Sequence, residues 1–325
     1  MSTIARRTGA AGSRIAGLGH YRPSRVVTND ELALTMDTND AWIQSRVGIA
    51  ERHWASESET VITMGAEAAR MAIADAGLTP ADIDTIIVAT CTLPSQIPHA
   101  STQIAAILGI HAPGSFDINA ACAGFCYGLA VASHTIRAGA GKNVLLVGVD
   151  KLTDWTDLTD RSTAIIFADG AGAAVVTEAD VEGIGPVVWG SDEEKTEAIH
   201  VTDRNSYIYQ DGQAVFRWAT TQIAPVALEA VAAAEVDLSE IKALVTHQAN
   251  LRIIEAIAKK IIAAGAPEDL VIGKDIITTG NTSSGSVPLA LSRLRESGGI
   301  TTGDLVLSIA FGAGLTYAAQ VYRCP

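Results

Sequence analysis

The chain has 325 residues, 48% of them hydrophobic and 18% charged, enough apolar material for a large buried core and too apolar for a disordered chain. Lys and Arg total 23 against 36 Asp and Glu, a formal net charge of −13. That balance argues against nucleic acid and against anionic membrane surfaces as partners, because both require a basic face.

The opening stretch, Met1 to Gly12, carries Arg6 and Arg7 with no apolar segment behind them, so it reads as a frayed tail and not a signal peptide. No run of roughly 18 or more apolar residues follows, so no membrane-spanning helix is expected. The cysteines, Cys91, Cys122, Cys126 and Cys324, form no CxxC pair. A reducing cytoplasm is the expected compartment, and no disulfide framework is expected.

Along the chain, Ala-rich helical stretches at Val61–Ala76 and Thr221–Ala234 are interleaved with short β-branched runs. The runs at Thr85–Ala89, Asn143–Val149, Ala173–Thr177, Ala243–Thr246 and Asp304–Ile309 are apolar throughout or nearly so. Strands of that kind belong to a sheet covered on both faces by helices, so the fold class is α/β. The order also repeats. "LTPADIDTIIVATC" (78–91) matches "VDLSEIKALVTHQA" (236–249) when Ile83 is set against Ile241. "DINAACAGFCYGLAVA" (117–132) matches "TTGNTSSGSVPLALSR" (278–293) with Cys122 against Asn281, and "FADGAGAAVV" (167–176) echoes "AFGAGLTYAAQV" (310–321). A unit this long is a duplicated domain and not a solenoid repeat. The expected division is 1–178 and 179–325, with Cys122 and Asn281 facing one another at matching helix starts.

Cys122 opens a helical pattern, where the positive end of the helix dipole favours thiolate, the nucleophilic form. The other three cysteines read as small buried hydrophobes. His247 ends the apolar run "ALVTH", and strand C-terminal ends are where α/β folds place their sites. Asn281 lies in "TTGNTSSGSVP"; seen alone it is a helix cap, and the repeat places it opposite Cys122. Cys, His and Asn in this order allow two chemistries. One is a papain-like hydrolase in which the Asn orients the His. The other is a condensation in which His and Asn both donate to a thioester oxygen, and the duplicated α/β context favours it. Gly312 and Gly314 in "FGAGL" suit a turn whose backbone amides face an oxyanion. "DGAGA" (169–173) lacks the Lys-Ser/Thr ending of a phosphate loop. The helical stretch 250–265 turns Ile254, Ile257, Ala258 and Ile261 to one face and Arg252, Lys259 and Lys260 elsewhere. A Glu255–Lys259 pair is the plain reading of that outer face, and a basic rim for an acidic partner is the functional one.

The motifs "INAACAGFCYGL", "HQANLRI", "GNTSSGSVP", "FGAGLTYA", "DTNDAWIQSRVGIAERH" and "DRSTAIIFADGAGAAVV" together resemble those of ketoacyl-acyl-carrier-protein synthase III, in order from about Ile15 to Tyr322. The resemblance implies a thiolase-like, five-layered αβαβα fold with an internal duplication, and a homodimer. It implies Cys122 as nucleophile, His247 and Asn281 as its partners, and an oxyanion hole from the amides of Cys122 and Ala313. It further implies coenzyme A contacts at Trp42, Arg46, Arg161, Gly212, Phe216 and Asn250, and a carrier-protein patch of Arg252, Lys259 and Lys260. Ile97 falls where the family caps the acyl pocket across the dimer. The implied reaction loads an acyl group from acyl-CoA onto Cys122 and condenses it with malonyl-acyl-carrier protein, with no metal and no cofactor beyond the thioester substrates. A relative from secondary metabolism, priming a polyketide or transferring the acyl group elsewhere, is the alternative. The segment Asp192–Asp211 departs from the pattern and is expected to shape the tunnel wall.

Overall fold

The computed structural model describes Ile4, residues 8–203 and residues 205–325; Arg6 and Arg7 of the expected tail lie outside the described residues. The ten strands of its two large sheets and the six helices that cover them follow one order, given twice. The first pass runs β1 (Gly12–Tyr21), α1 (Val61–Asp75), β2 (Thr85–Ala89), α2 (Ala100–Leu108), β3 (Gly114–Ile118), α3 (Gly124–Arg137), β4 (Asn143–Lys151) and β5 (Asp169–Ala179). The second runs β6 (Val188–Ser191), α4 (Gly212–Ala233), β7 (Ile241–Thr246), α5 (Leu251–Ala263), β8 (Val271–Ile272), α6 (Ser286–Glu296), β9 (Leu305–Gly312) and β10 (Thr316–Arg323).

The sheets have the orders β1-β5-β4-β2-β3 and β6-β10-β9-β7-β8. In each, neighbours among the first three strands are antiparallel and neighbours among the last three are parallel. Helices α1 and α2 cover the outer face of the first sheet, and α4 and α5 the outer face of the second. Helix α3 lies between the sheets and contacts strands of both, and α6 shares this middle layer. This is the five-layered, thiolase-like αβαβα arrangement. "DGAGA" begins β5 and opens no helix.

Local chemistry explains the elements. Every residue of β2 is buried, as befits a strand with helices on both faces. Helix α5 buries Ile253, Ile254, Ile257, Ala258 and Ile261 on one stripe, and Asn250 caps it by accepting from Arg252 N. Glu255 on its outer face pairs with Lys274 at 3.0 Å and not with Lys259. In the middle layer Phe125, Cys126 and Leu129 of α3 share one core with Leu146 of the first sheet and Ala243 and Val306 of the second. The halves therefore share a core.

The halves also meet at a buried carboxylate. Asp150, at the end of β4, is fully buried. Its Oδ1 accepts from Thr90 Oγ1 (3.1 Å), Cys91 N (2.8 Å) and Thr92 Oγ1 (3.0 Å). Its Oδ2 accepts from Ser284 N (3.0 Å) and Ser284 Oγ (2.6 Å). Five neutral donors replace the water that the charge has lost. Next to it, a Cβ on Gly148 would lie 2.4 Å from the carbonyl oxygen of Ser284, so only glycine permits this approach. Asp150→Asn keeps the shape and turns an NH2 group onto one of these donor sets. We expect a loss of about 2 kcal/mol, the scale of a buried unsatisfied polar group, seen as a lower urea midpoint. An unchanged midpoint would show that Asp150 does not hold the halves together.

Candidate active site

After β3 the chain passes through Asn119 and Ala120 into a single 3-10 turn, Ala121–Ala123, that leads into α3. Asn119 Oδ1 accepts from Ala121 N at 3.0 Å, and Ala121 sits at φ +45°, a region that disfavours side chains. The second half repeats this turn. Asn281 Oδ1 accepts from Ser283 N at 2.9 Å, Ser283 has φ +51°, and the turn Ser283–Gly285 leads into α6. Asn281 therefore corresponds to Asn119, and Cys122 to Ser284, which corrects the expected match of Cys122 with Asn281. Both motifs are runs of small residues, in which no side chain marks the register.

Cys122 thus stands at the entry to α3, partly accessible, with the end of β9 pressed against it. A Cβ on Gly312 would lie 2.7 Å from Cys122 N and 2.9 Å from its Cβ. Burial pushes the thiol up to about 12. The Ser283 hydroxyl, donating to Sγ at 3.4 Å, opposes that shift, and the Asp150 carboxylate adds to it. Burial thus opposes the effect of the helix start and favours the thiol form of Cys122.

His247 follows β7, its N–H donating to Ile309 O at 2.8 Å. Its ring is buried edge-on to Phe311, with centroids 5.3 Å apart. Nδ1 lies 2.7 Å from Ser286 Oγ, and Asn281 does not fill that place. Burial pushes the imidazole down to about 3, so it is neutral at physiological pH. Asn281 is held by the first half: its N–H donates to Ile166 O at 3.0 Å and its carbonyl accepts from Ala168 N at 2.9 Å. With Oδ1 occupied by Ser283, the side-chain NH2 is the group left for the cavity.

Cys122, His247 and Asn281 all line one cavity of about 950 Å³, together with Gly312 and Ala313. Toward the surface the walls carry Trp42, Arg46, Arg161, Gly212, Phe216 and Asn250. The Arg46 and Arg161 guanidiniums lie 5.5 Å and 4.9 Å from the Trp42 ring centre, and Arg252 lies 5.2 Å from that of Phe216. Asn250 Nδ2 donates to Arg46 O at 3.2 Å and so ties α5 to the short helix Asp40–Val47. Arg252, Lys259 and Lys260 are exposed on α5, with Lys260 Nζ donating to Thr220 O at 2.6 Å. The small hairpin of 199–200 and 209–210 supplies Ile199, His200, Tyr209 and Gln210 to the wall, within the divergent segment. Ile97 stands apart: it is 81% exposed, on the loop between β2 and α2, and lines no part of this cavity within the chain.

Three residues at the site escaped the sequence reading. Ser283 and Ser286 sit in "NTSSGS", where serines read as helix caps, yet their hydroxyls reach Cys122 and His247. Cys91 was expected to be a buried hydrophobe like Cys126 and Cys324; it instead lines the cavity, with Sγ 3.8 Å from Ser283 Oγ. Among the described residues, no group of three or more His, Cys, Asp and Glu is placed to hold a metal, and no helix is long and apolar enough to cross a membrane.

Comparison with known proteins gives the same picture over the whole chain. Residues 116–193 match the family model of 3-oxoacyl-[acyl-carrier-protein] synthase III, and residues 231–324 match that of its C-terminal part. Beta-ketoacyl-[acyl-carrier-protein] synthase III 2 of Streptomyces avermitilis is 48% identical, over 97% of this chain and 99% of that protein. The synthase III of Streptomyces glaucescens is 46% identical over 100% of both chains. Among solved structures, the priming beta-ketosynthase of the R1128 polyketide biosynthetic pathway superposes with a TM-score of 0.95 at 42% identity, covering 99% of this chain and 98% of that one. The 3-oxoacyl-[acyl-carrier-protein] synthase III of Aquifex aeolicus superposes with a TM-score of 0.91 at 38% identity, covering 96% and 100%. With the duplicated fold and a cysteine, a histidine and an asparagine gathered at one cavity, these likenesses establish that the chain belongs to the 3-oxoacyl-[acyl-carrier-protein] synthase III family.

Proposed function

We propose that the protein takes an acyl group from acyl-CoA onto Cys122 and condenses it decarboxylatively with malonyl-acyl-carrier protein, giving a 3-oxoacyl-carrier protein that initiates fatty-acid synthesis. The observation that carries this reading is the single cavity in which a thiol faces two neutral side-chain donors. Sγ of Cys122 attacks the thioester carbonyl, the bond to coenzyme A breaks, and the thiol proton leaves with it. The amides of Cys122 and Ala313 hold the oxyanion. Malonyl thioester then occupies the emptied tunnel. Its carboxylate departs as CO2, and the electron pair moves onto the thioester oxygen, to which His247 and Asn281 donate. The enolate carbon attacks the acyl carbonyl, and the bond to Sγ breaks to return Cys122 as thiolate, which takes a proton from water to restore the thiol. A neutral imidazole suits this role, because it gives a hydrogen bond without having to lose a proton.

In this reading Trp42, Arg46 and Arg161 hold the adenine nucleotide end of coenzyme A through stacking and phosphate pairing. Gly212, Phe216 and Asn250 line the pantetheine path. Arg252, Lys259 and Lys260 form the basic rim that receives the acidic carrier protein. The working unit is a homodimer. Strand β3 is an unpaired edge with Phe116 39% exposed, a surface that natural proteins cover. Asp117 of that edge accepts from the first amides of α2, which places the Ile97 loop beside it. On the family's pattern, Ile97 of a second copy paired there would cap the acyl pocket. The likeness to a polyketide-priming ketosynthase favours one alternative, the same loading and condensation on a carrier of secondary metabolism.

Intact-protein mass spectrometry after exposure to a panel of acyl-CoAs tests the reaction. We expect a gain of one acyl mass on Cys122, discharged by malonyl-carrier protein as a 3-oxoacyl product. The carrier that discharges it separates the two pathways, and a gain that neither carrier discharges would point to acyl transfer. Cys122→Ser is expected to lose loading, and His247→Ala to load but release no CO2. The thiol state has its own readout. Because burial raises the Cys122 pKa, its alkylation by iodoacetamide, mapped by peptide, should climb about tenfold per pH unit through neutrality, following the thiolate fraction. A plateau below about pH 8 would mean a pre-formed thiolate. Phe116→Asp is expected to convert the dimer to monomers in analytical ultracentrifugation, and a persisting dimer would move the interface elsewhere.

A further inference from the structure

His247 has two ring nitrogens, and a donor to the thioester oxygen must carry its proton on the one that faces the cavity. Nδ1 lies 2.7 Å from Ser286 Oγ, and both residues are at most 2% exposed. The same hydroxyl oxygen accepts from Gln248 N at 3.3 Å. Among the described residues, Ser286 Oγ reaches no backbone carbonyl or carboxylate, and it does not cap α6, whose N-cap residue is Gly285. A hydroxyl has one proton to give. If Nδ1 were protonated, both would be donors, and the buried hydroxyl proton would have no acceptor.

Gln248 keeps this arrangement rigid. Its Nε2 donates to Thr246 O (2.7 Å) and Gly273 O (3.2 Å), and its Oε1 accepts from Ile276 N (3.0 Å). The Gln248 side chain is therefore anchored at three points, and its backbone amide is held against Ser286. The duplication gives an internal control. The strand and turn registers that pair Asn119 with Asn281 also pair His247 with Ala89 and Ser286 with Gly124. A Cβ on Gly124 would lie 2.9 Å from Ala89 Cβ. The fold thus brings these two positions together in both halves, and only the second half fills them with a donor and an acceptor.

We infer that Ser286 is a positioning residue that donates to His247 Nδ1 and so fixes the tautomer whose Nε2 carries the proton and faces the cavity. Ser286 touches no substrate; it acts through the imidazole. The catalytic consequence rests on the proposed role of His247 as a donor to the thioester oxygen, whereas the tautomer itself does not.

The test uses the full-length protein labelled with 15N-histidine, with the His247 ring assigned by its loss in His247→Gln. Long-range 1H–15N spectra at neutral pH should show Nδ1 unprotonated and Nε2 protonated. Ser286→Ala should give a mixture of tautomers, lower the condensation rate about tenfold or more by populating the wrong one, and leave acyl loading of Cys122 unchanged. Ser286→Thr, which keeps the hydroxyl, should restore both the spectrum and the rate. A protonated Nδ1 in the unaltered protein, or a Ser286→Ala protein with an unchanged spectrum, would overturn the inference. If no substrate pair is condensed, the proposed reaction fails while the spectra still decide the tautomer.

Discussion

The carboxylate of Asp150 is the point on which the active-site end of the molecule depends. It joins the ends of β2 and β4 in one half to the turn before α6 in the other. A buried charge with no water must be met by donors, and each donor it takes is drawn to a fixed place. Ser284 is one of them, and Ser283 and Asn281 sit in the same turn. The position of the two donors around Cys122 therefore follows from how one anion is satisfied, with Gly148 leaving the room for it.

Around that point the two halves are alike in backbone and unlike in side chains. Asn119 and Asn281 shape the same strained turn. The following positions then diverge. The first half places Cys122 where the second has Ser284, and the second places His247 and Ser286 where the first has Ala89 and Gly124. A symmetric pair of thiols, or of imidazoles, would have no division of labour. The asymmetry brings a thiol from the first half to one cavity with an imidazole and a carboxamide from the second.

The fold was readable from the sequence because near-continuous apolar strands such as Thr85–Ala89 and Ala243–Thr246 stand out against Ala-rich helices, and because their order recurs. Cys122, His247 and Asn281 were readable from position: a helix start, a strand end, and a Gly-Asn turn in the matching place. The register between the halves was not, since runs of Ala, Gly and Ser slide past one another without a mark. Nor were Ser283 and Ser286, whose contacts with Cys122 and His247 span long stretches of chain while their local setting is that of a cap. Cys91 was missed because exposure to an internal cavity leaves no trace in composition.

The electrostatics of the site agree with condensation, the chemistry of the family to which the chain belongs. A papain-like hydrolase needs a thiolate beside an imidazolium, with the Asn orienting the ring. Here burial drives the two groups the other way, the thiol up to about 12 and the imidazole down to about 3, so the neutral pair is the resting state. The ring is oriented by Ser286, and Asn281 is turned by Ser283 so that its NH2 is free. Two neutral donors beside a thiol are ill-suited to deprotonating water. They are well suited to stabilising an enolate oxygen, where a hydrogen bond strengthens as negative charge develops and no proton has to change hands. The same burial that disfavours charge on the thiol and the ring also strengthens hydrogen bonds to a developing negative charge, so one property of the site acts on both the resting state and the reaction it favours.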